Sequence, residues 1–195
     1  MLTDSIGKRV KITTGEVASF PGDNICRLGD RIARGEVRVS DRCKILIHVG
    51  INDINDIFKY DKVKTTTVVQ ILDRYKSLRD LIRWRNSHAI LLFSAILPRD
   101  SRCFSQYSPF IYGINFALEK LCAQSSGSCV FVDTWKFFMN GVSPRDELFA
   151  KRDGLHLCGF GDERLQHCWR QALSDTYIAE KRFSRRVARL ANITY

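Results

Sequence analysis

Two stretches of this chain, Cys43 to Val49 (CKILIHV) and Ala89 to Leu97 (AILLFSAIL), are apolar almost without interruption. Both fall well short of the roughly 20 residues a membrane helix needs. Neither alternates polar with apolar, so neither reads as a strand with one wet face. Runs of this kind suit strands of a parallel sheet covered on both sides. Between them, Thr67 to Arg85 repeats at helical spacing, with Val68, Ile71, Leu72, Tyr75, Leu78 and Leu81 or Ile82 as its stripe. Strand, helix and strand in succession limit the chain to an α/β architecture.

The remaining segments extend the alternation. Glu16 to Phe20 reads as a short strand ending at Pro21-Gly22, and Asp23 as the cap of a helix from Asn24 to Ala33, with Ile25, Leu28 and Ile32 on one face. Asp100 to Ser108 reads as a polar loop, and Pro109 as the first turn of a helix reaching Ala123. Ser128 to Val132 is the last strand. Asp133 to Arg152 is a long connection with short helical turns, and Phe160 to Ile178 a final helix. The pattern predicts a three-layer α/β/α sandwich with a mostly parallel sheet over residues 1–179, followed by a basic amphipathic tail over 180–195.

The chain has 195 residues, enough for one domain with a full core. Its start, Met1-Leu2-Thr3-Asp4, has neither the basic nor the apolar region of a signal peptide, so the expected location is intracellular, cytoplasmic or nuclear. Seven cysteines, at 26, 43, 103, 122, 129, 158 and 168, form no CxxC pair; no zinc site, other metal or cofactor is expected, and all seven are read as reduced thiols. Cys43 and Cys129 open strand-like runs and are read as small buried apolar residues. The net charge of +10 favours acidic partners, nucleic acid or an anionic membrane surface. Basic residues concentrate at Arg74, Lys76, Arg79, Arg83 and Arg85, of which Arg79 to Arg85 are read as a solvated helix face, and in the tail. There Phe183, Val187 and Leu190 fall at helical spacing with Lys181, Arg182, Arg185, Arg186 and Arg189 around them. A surface helix docked on the domain is the plainer reading of that tail.

Four short blocks carry chemistry: Thr3-Asp4-Ser5, Phe20-Pro21-Gly22, Gly50-Ile51-Asn52-Asp53 and Asp153-Gly154-Leu155-His156. Each follows a strand or precedes the last helix, and ligands of open α/β sheets collect at the carboxyl ends of the strands. Together the blocks supply a hydroxyl, an imidazole, a carboxylate and candidate oxyanion donors, the inventory of a hydrolase that attacks esters with serine.

The order of these blocks resembles the SGNH, or GDSL-like, esterases and lipases, over roughly residues 2 to 170. The likeness is most specific in Gly50-Ile51-Asn52-Asp53 and in the run from Asp153 to Gly161. It implies a flavodoxin-like SGNH hydrolase fold with Ser5 as nucleophile, His156 as general base and acid, and Asp153 as the residue orienting the imidazole. The backbone N–H groups of Ser5 and Gly22 and the Asn52 side chain would form the oxyanion hole, with Asp4, Gly50 and Asp53 supporting. Thr3 stands where the family has glycine. Only four residues precede Ser5, so the likeness also implies a first strand clipped short. The run Phe20-Pro21-Gly22 is similar to esterase domains of animal non-LTR retrotransposons and to the platelet-activating-factor acetylhydrolase branch. That implies a lipid or acetyl ester substrate and association with nucleic-acid-binding proteins.

Plainer readings stand beside these. Ser5 and His156 taken singly are ordinary polar residues, Asn52-Asp53 is a turn, Gly22 after Pro21 is a β-turn, and His48 is a satisfied core histidine. At the level of function the alternative to a serine esterase is a catalytically degenerate esterase fold that binds nucleic acid or a membrane.

Overall fold

A computed structural model of the chain describes residues 1–12, 15–59, 68–125 and 127–191, with side chains described as far as residue 176. Five parallel strands form one sheet in the order β2-β1-β3-β4-β5, with β1 Leu2–Thr3, β2 Ala18–Ser19, β3 Lys44–His48, β4 Ile90–Ser94 and β5 Cys129–Val132. The helices are α1 Ile25–Ala33, α2 Ile51–Lys59, α3 Val68–Arg85, α4 Ser101–Ala123 and α5 Gly159–Ala191. A small antiparallel hairpin, β6 Met139–Asn140 with β7 Ser143–Pro144, lies between β5 and α5.

The apolar runs are buried because both faces of the sheet are covered. Adjacent residues of β4 point to opposite faces. Phe93 meets Tyr75 of α3 edge-on, ring centroids 5.8 Å apart, while Ser94 accepts a 2.9 Å hydrogen bond from the indole N–H of Trp169 on α5. This gives the three layers, with α1 and α4 packed beside α3. On α3, Ile71, Tyr75, Leu78 and Ile82 are the buried stripe. His48 is buried in β3 with Nδ1 3.1 Å from Ser94 Oγ and its ring against Trp169; burial brings its pKa down to about 3. It is a neutral core histidine, as its setting in the apolar run implies.

Several local expectations are corrected. The cap of α1 is Asn24, whose Oδ1 accepts the Arg27 N–H at 3.0 Å; Asp23 instead pairs with Arg31 at 2.6 Å. The segment expected as a loop before Pro109 is helical, and Pro109 lies inside α4. The start of α4 is fixed by tertiary contact, since the Ser101 N–H and hydroxyl both bond the Asp146 carboxylate. Pro109 has no N–H to reach the Ser105 carbonyl, and both residues are exposed. Asn52 and Asp53 are not in a turn: they belong to the first turn of α2, whose Ile51, Ile54 and Ile57 are buried at helical spacing. Cys43 is exposed because β3 begins one residue later, whereas Cys129 is buried; all seven cysteines are free. The last helix continues past residue 179 to Ala191, so the basic tail extends it, and the side chains of Lys181, Arg182, Arg185, Arg186 and Arg189 lie outside the described residues. Among the described residues, no helix is long and apolar enough to cross a membrane.

The first strand is short and central. Leu2 and Thr3 pair with Ala18 and Ser19 on one side and with Ile47 and His48 on the other, while β3 and β4 stay in register from Lys44 to Ile47. Trp169 spans the layers at the point where its indole N–H meets Ser94. Trp169→Ala is therefore expected to cost about 3–5 kcal/mol of stability, read as a lower denaturant midpoint at unchanged slope.

Candidate active site

Ser5 leaves the carboxyl end of β1 and opens a tight helical turn, Ile6–Arg9. Asp4 fixes that turn by accepting the Ile6 N–H at 2.9 Å, and its own N–H reaches the His48 carbonyl at 3.2 Å. Thr3 is fully buried in β1, and Gly7 makes room for it: a Cβ on Gly7 would stand 2.3 Å from Thr3 Oγ1. The larger residue before the Asp-Ser pair is thus matched by a glycine one turn later, a compensation that only the fold reveals.

The carboxyl end of β2 lies against the same segment. The Phe20 N–H bonds the Thr3 carbonyl at 2.8 Å and the Ser19 hydroxyl bonds the Asp4 carbonyl at 2.9 Å. Phe20 to Asp23 then form a β-turn closed by the Asp23 N–H on the Phe20 carbonyl at 3.1 Å, with Gly22 at φ +83°. Pro at the second position and a positive-φ glycine at the third make this a type II turn. A Cβ on Gly22 would meet nothing within 4 Å. Glycine is required there by backbone conformation, not by crowding inside the fold.

The third block is tied to the second. The Asn52 side-chain amide donates to the Asp23 carbonyl at 2.8 Å, which leaves its second N–H for another acceptor. Asp53 is fully buried, accepts the Ile25 N–H at the start of α1 at 2.9 Å and pairs with Arg74 of α3 at 2.6 Å, so it joins three helices. Gly50 has φ +123°, and a Cβ there would lie 2.4 Å from the Tyr75 hydroxyl and 2.7 Å from Ile96. β3 therefore turns into α2 hard against the core.

The fourth block closes over Ser5. His156 Nε2 is 3.2 Å from Ser5 Oγ, and His156 Nδ1 is 2.9 Å from Asp153 Oδ2. Burial pushes the Asp153 carboxyl up, but the backbone N–H groups of His156 and Leu155 and the imidazole outweigh it and hold the group well below the usual carboxylate range. An ionised carboxylate only accepts, so Nδ1 carries the ring proton and Nε2 offers its lone pair to the serine hydroxyl. The arrangement can draw the proton from Ser5 as its oxygen attacks. Among the described residues no group of three or more His, Cys, Asp or Glu could hold a metal ion.

Two supports lie outside the four blocks. Arg9, four residues after Ser5, bonds the Leu157 carbonyl next to His156 and pairs with Asp162 on α5 at 2.9 Å. Asp100 donates its N–H to the Gly154 carbonyl at 2.9 Å, and its carboxylate fills the space where a Gly154 Cβ would stand, 2.2 Å from Oδ1. Gly154, at φ +61°, is thus doubly constrained. Neither contact has a sequence signature, because each joins residues far apart in the chain.

Compared by sequence, the chain matches no family model and no curated protein. Solved structures do match. A GDSL-like lipase from Bacteroides thetaiotaomicron superposes with TM-score 0.66 at 14% identity, covering 89% of this chain and 86% of that one. A lipase from a goat rumen metagenome gives TM-score 0.66 at 17% identity, over 88% and 94% of the two chains. The OSK domain of Drosophila Oskar gives 0.65 at 15%, over 88% and 86%. The chain has the SGNH, or GDSL-like, hydrolase fold. Its strand order is the flavodoxin-like one, with a first strand only two residues long.

Beside Ser5, Asp4 is the electrostatic anomaly. It is 1% exposed, its Oδ2 has no partner among the described residues, and burial, opposed by the Ile6 N–H and reinforced by the charge of Asp53, pushes its pKa up to about 7. The folded state thus keeps a proton that the unfolded chain releases near pH 4. This group's contribution falls as pH rises from about 4 to about 7 and is constant above. Asp4→Asn keeps the acceptor for Ile6 and removes the charge. It is expected to raise the melting temperature relative to the parent at pH 8 and to leave it unchanged at pH 4, as measured by calorimetry at both pH values.

Proposed function

We propose that this protein is a serine esterase that hydrolyses small acyl or lipid carboxylic esters through an acyl-enzyme intermediate. The observation that carries this reading is the unbroken chain of contacts from Ser5 Oγ to His156 Nε2 and from His156 Nδ1 to Asp153 Oδ2. The presence of lipases among the structural neighbours supports the same chemistry.

In this reading Ser5 Oγ attacks the ester carbonyl carbon while His156 Nε2 takes its proton. The resulting oxyanion is met by the backbone N–H groups of Ser5 and Gly22 and by the Asn52 amide, each donor worth about 3 kcal/mol of barrier. The open turn at Gly22, with its positive φ, and the hydrogen bond from the Asn52 amide to Asp23 support these assignments. Collapse of the tetrahedral intermediate breaks the ester C–O bond, and His156 returns the proton to the departing alcohol. The acyl group stays on Ser5. Water then attacks it with His156 again as base, releasing the carboxylic acid and restoring Ser5. Asp153 remains ionised throughout and stabilises the imidazolium. Asp4, Gly50 and Asp53 act as supports of the loops that carry these groups.

A binding module that had lost catalysis would have no use for an imidazole held between a serine and an ionised carboxylate, and this favours the esterase over the degenerate fold. Ser5→Ala and His156→Ala are expected to abolish hydrolysis of p-nitrophenyl acetate while leaving the circular dichroism spectrum intact. Asn52→Ala is expected to lower kcat by about 10²–10³-fold. Turnover retained by folded Ser5→Ala would contradict the reading.

A further inference from the structure

Most buried charges of this protein are matched. Asp23 has Arg31, Asp53 has Arg74, Asp100 has Arg102 and Asp162 has Arg9, each within 2.9 Å. Asp4 has no arginine and favours its neutral form instead. Arg99 has neither remedy. It is 8% exposed, and a guanidinium keeps its proton in a protein.

The groups around Arg99 do not carry the charge it lacks. Nη2 donates to the Asn55 side-chain oxygen, and the guanidinium carbon lies 3.9 Å from the centre of the Tyr107 ring. Nε has no hydrogen-bond partner among the described residues. The adjacent carboxylate, Asp100, is taken by Arg102 at 2.6 Å. An amide and an aromatic face orient the guanidinium but leave its charge unopposed, and a buried ion without a counter-ion is strongly unfavourable. Such a group marks a place where an anion from outside completes the fold's electrostatics.

The surroundings of Arg99 tie it to the site of Ser5. It leaves the carboxyl end of β4, the neighbour of β3 in the sheet. Asn55 stands three residues after Asn52 on α2, on the same side of the helix and about 5 Å further along its axis. The next residue, Asp100, bonds the Gly154 carbonyl in the loop of His156. An ester held at Ser5 and Asn52 would reach Arg99 within a few bonds of its carbonyl carbon.

We propose that Arg99 makes this site selective for esters that carry a second, ionised carboxylate a few bonds from the scissile carbonyl. The proposal rests on the serine esterase reading of the same site. With Tyr107 over the guanidinium face and Asn55 at Nη2, an edge of the fork is left for a planar anion, and carboxylate oxygens fit such an edge. The substrate then supplies the counter-ion that the chain does not.

Steady-state hydrolysis of two matched pairs of esters tests this. The mono-p-nitrophenyl ester of adipic acid against p-nitrophenyl hexanoate varies the acyl part, and p-acetoxybenzoate against its methyl ester varies the alcohol part. In one pair kcat/KM is expected to favour the anionic member by about tenfold, and the pair that shows it locates the carboxylate on the substrate. Arg99→Gln is expected to remove that ratio, and Arg99→Lys to restore part of it. Asn55→Asp brings a carboxylate to the guanidinium from within; it is expected to raise the melting temperature and to remove the ratio without deleting the arginine. Equal kcat/KM within both pairs would overturn the proposal and leave the esterase reading standing, as would a preference that survives in folded Arg99→Gln or Asn55→Asp. No turnover of any of the four esters would overturn the esterase reading and the proposal together.

Discussion

Leu2 and Thr3 pair with β2 and β3 at once, and the position of Ser5 depends on that pairing. The two residues form the centre of the five-stranded sheet and lead directly into the turn that carries the serine. A strand this short offers few backbone hydrogen bonds. The segment is held by contacts on every side instead: Thr3 against Gly7, the Asp4 N–H on His48, the Asp4 carbonyl on Ser19, and Arg9 on Leu157 and Asp162. The last of these matters for chemistry because it ties the turn after Ser5 to the loop of His156. Displacing that loop by an ångström would break the 3.2 Å contact on which the proposed proton transfer depends.

The site divides its carboxylates by environment. Asp153 is held ionised by two backbone N–H groups and an imidazole and can support a positive charge on His156. Asp4, the residue directly before Ser5, is buried with one oxygen that has no partner among the described residues and favours its neutral form up to about pH 7. A second full negative charge under Ser5 would oppose the oxyanion of the proposed reaction, and a neutral Asp4 suits that chemistry. Asp53, equally buried, is instead matched by Arg74 and binds three helices together.

Much of this was legible in the sequence. The apolar runs at Ile45 to Ile47 and Leu91 to Phe93 announced buried parallel strands, and the stripe through Tyr75 and Leu78 announced the helix between them. Of the residues in the four blocks, the fold brings Ser5, His156 and Asp153 into contact beyond the carboxyl end of β1, an interior strand. What stayed hidden rests on long-range contact. The polar run before Pro109 is helical because Asp146 captures Ser101, and no local propensity encodes that bond. Helix α2 was hidden by its own motif, since Asn52 and Asp53 look like turn residues until Ile54 and Ile57 are read with them. Arg9 and Asp100 touch the loop of His156 from positions remote in sequence, which neither periodicity nor spacing can detect.

The central claim is that Ser5 is activated by His156, and covalent labelling addresses it most directly. A fluorophosphonate probe reacts with a serine only when a neighbouring base and an oxyanion hole assist the attack. The account predicts a single adduct, mapped by mass spectrometry to Ser5 and lost in His156→Ala. An unlabelled Ser5 in a folded sample, or labelling of Ser5 that persists without His156, would contradict it.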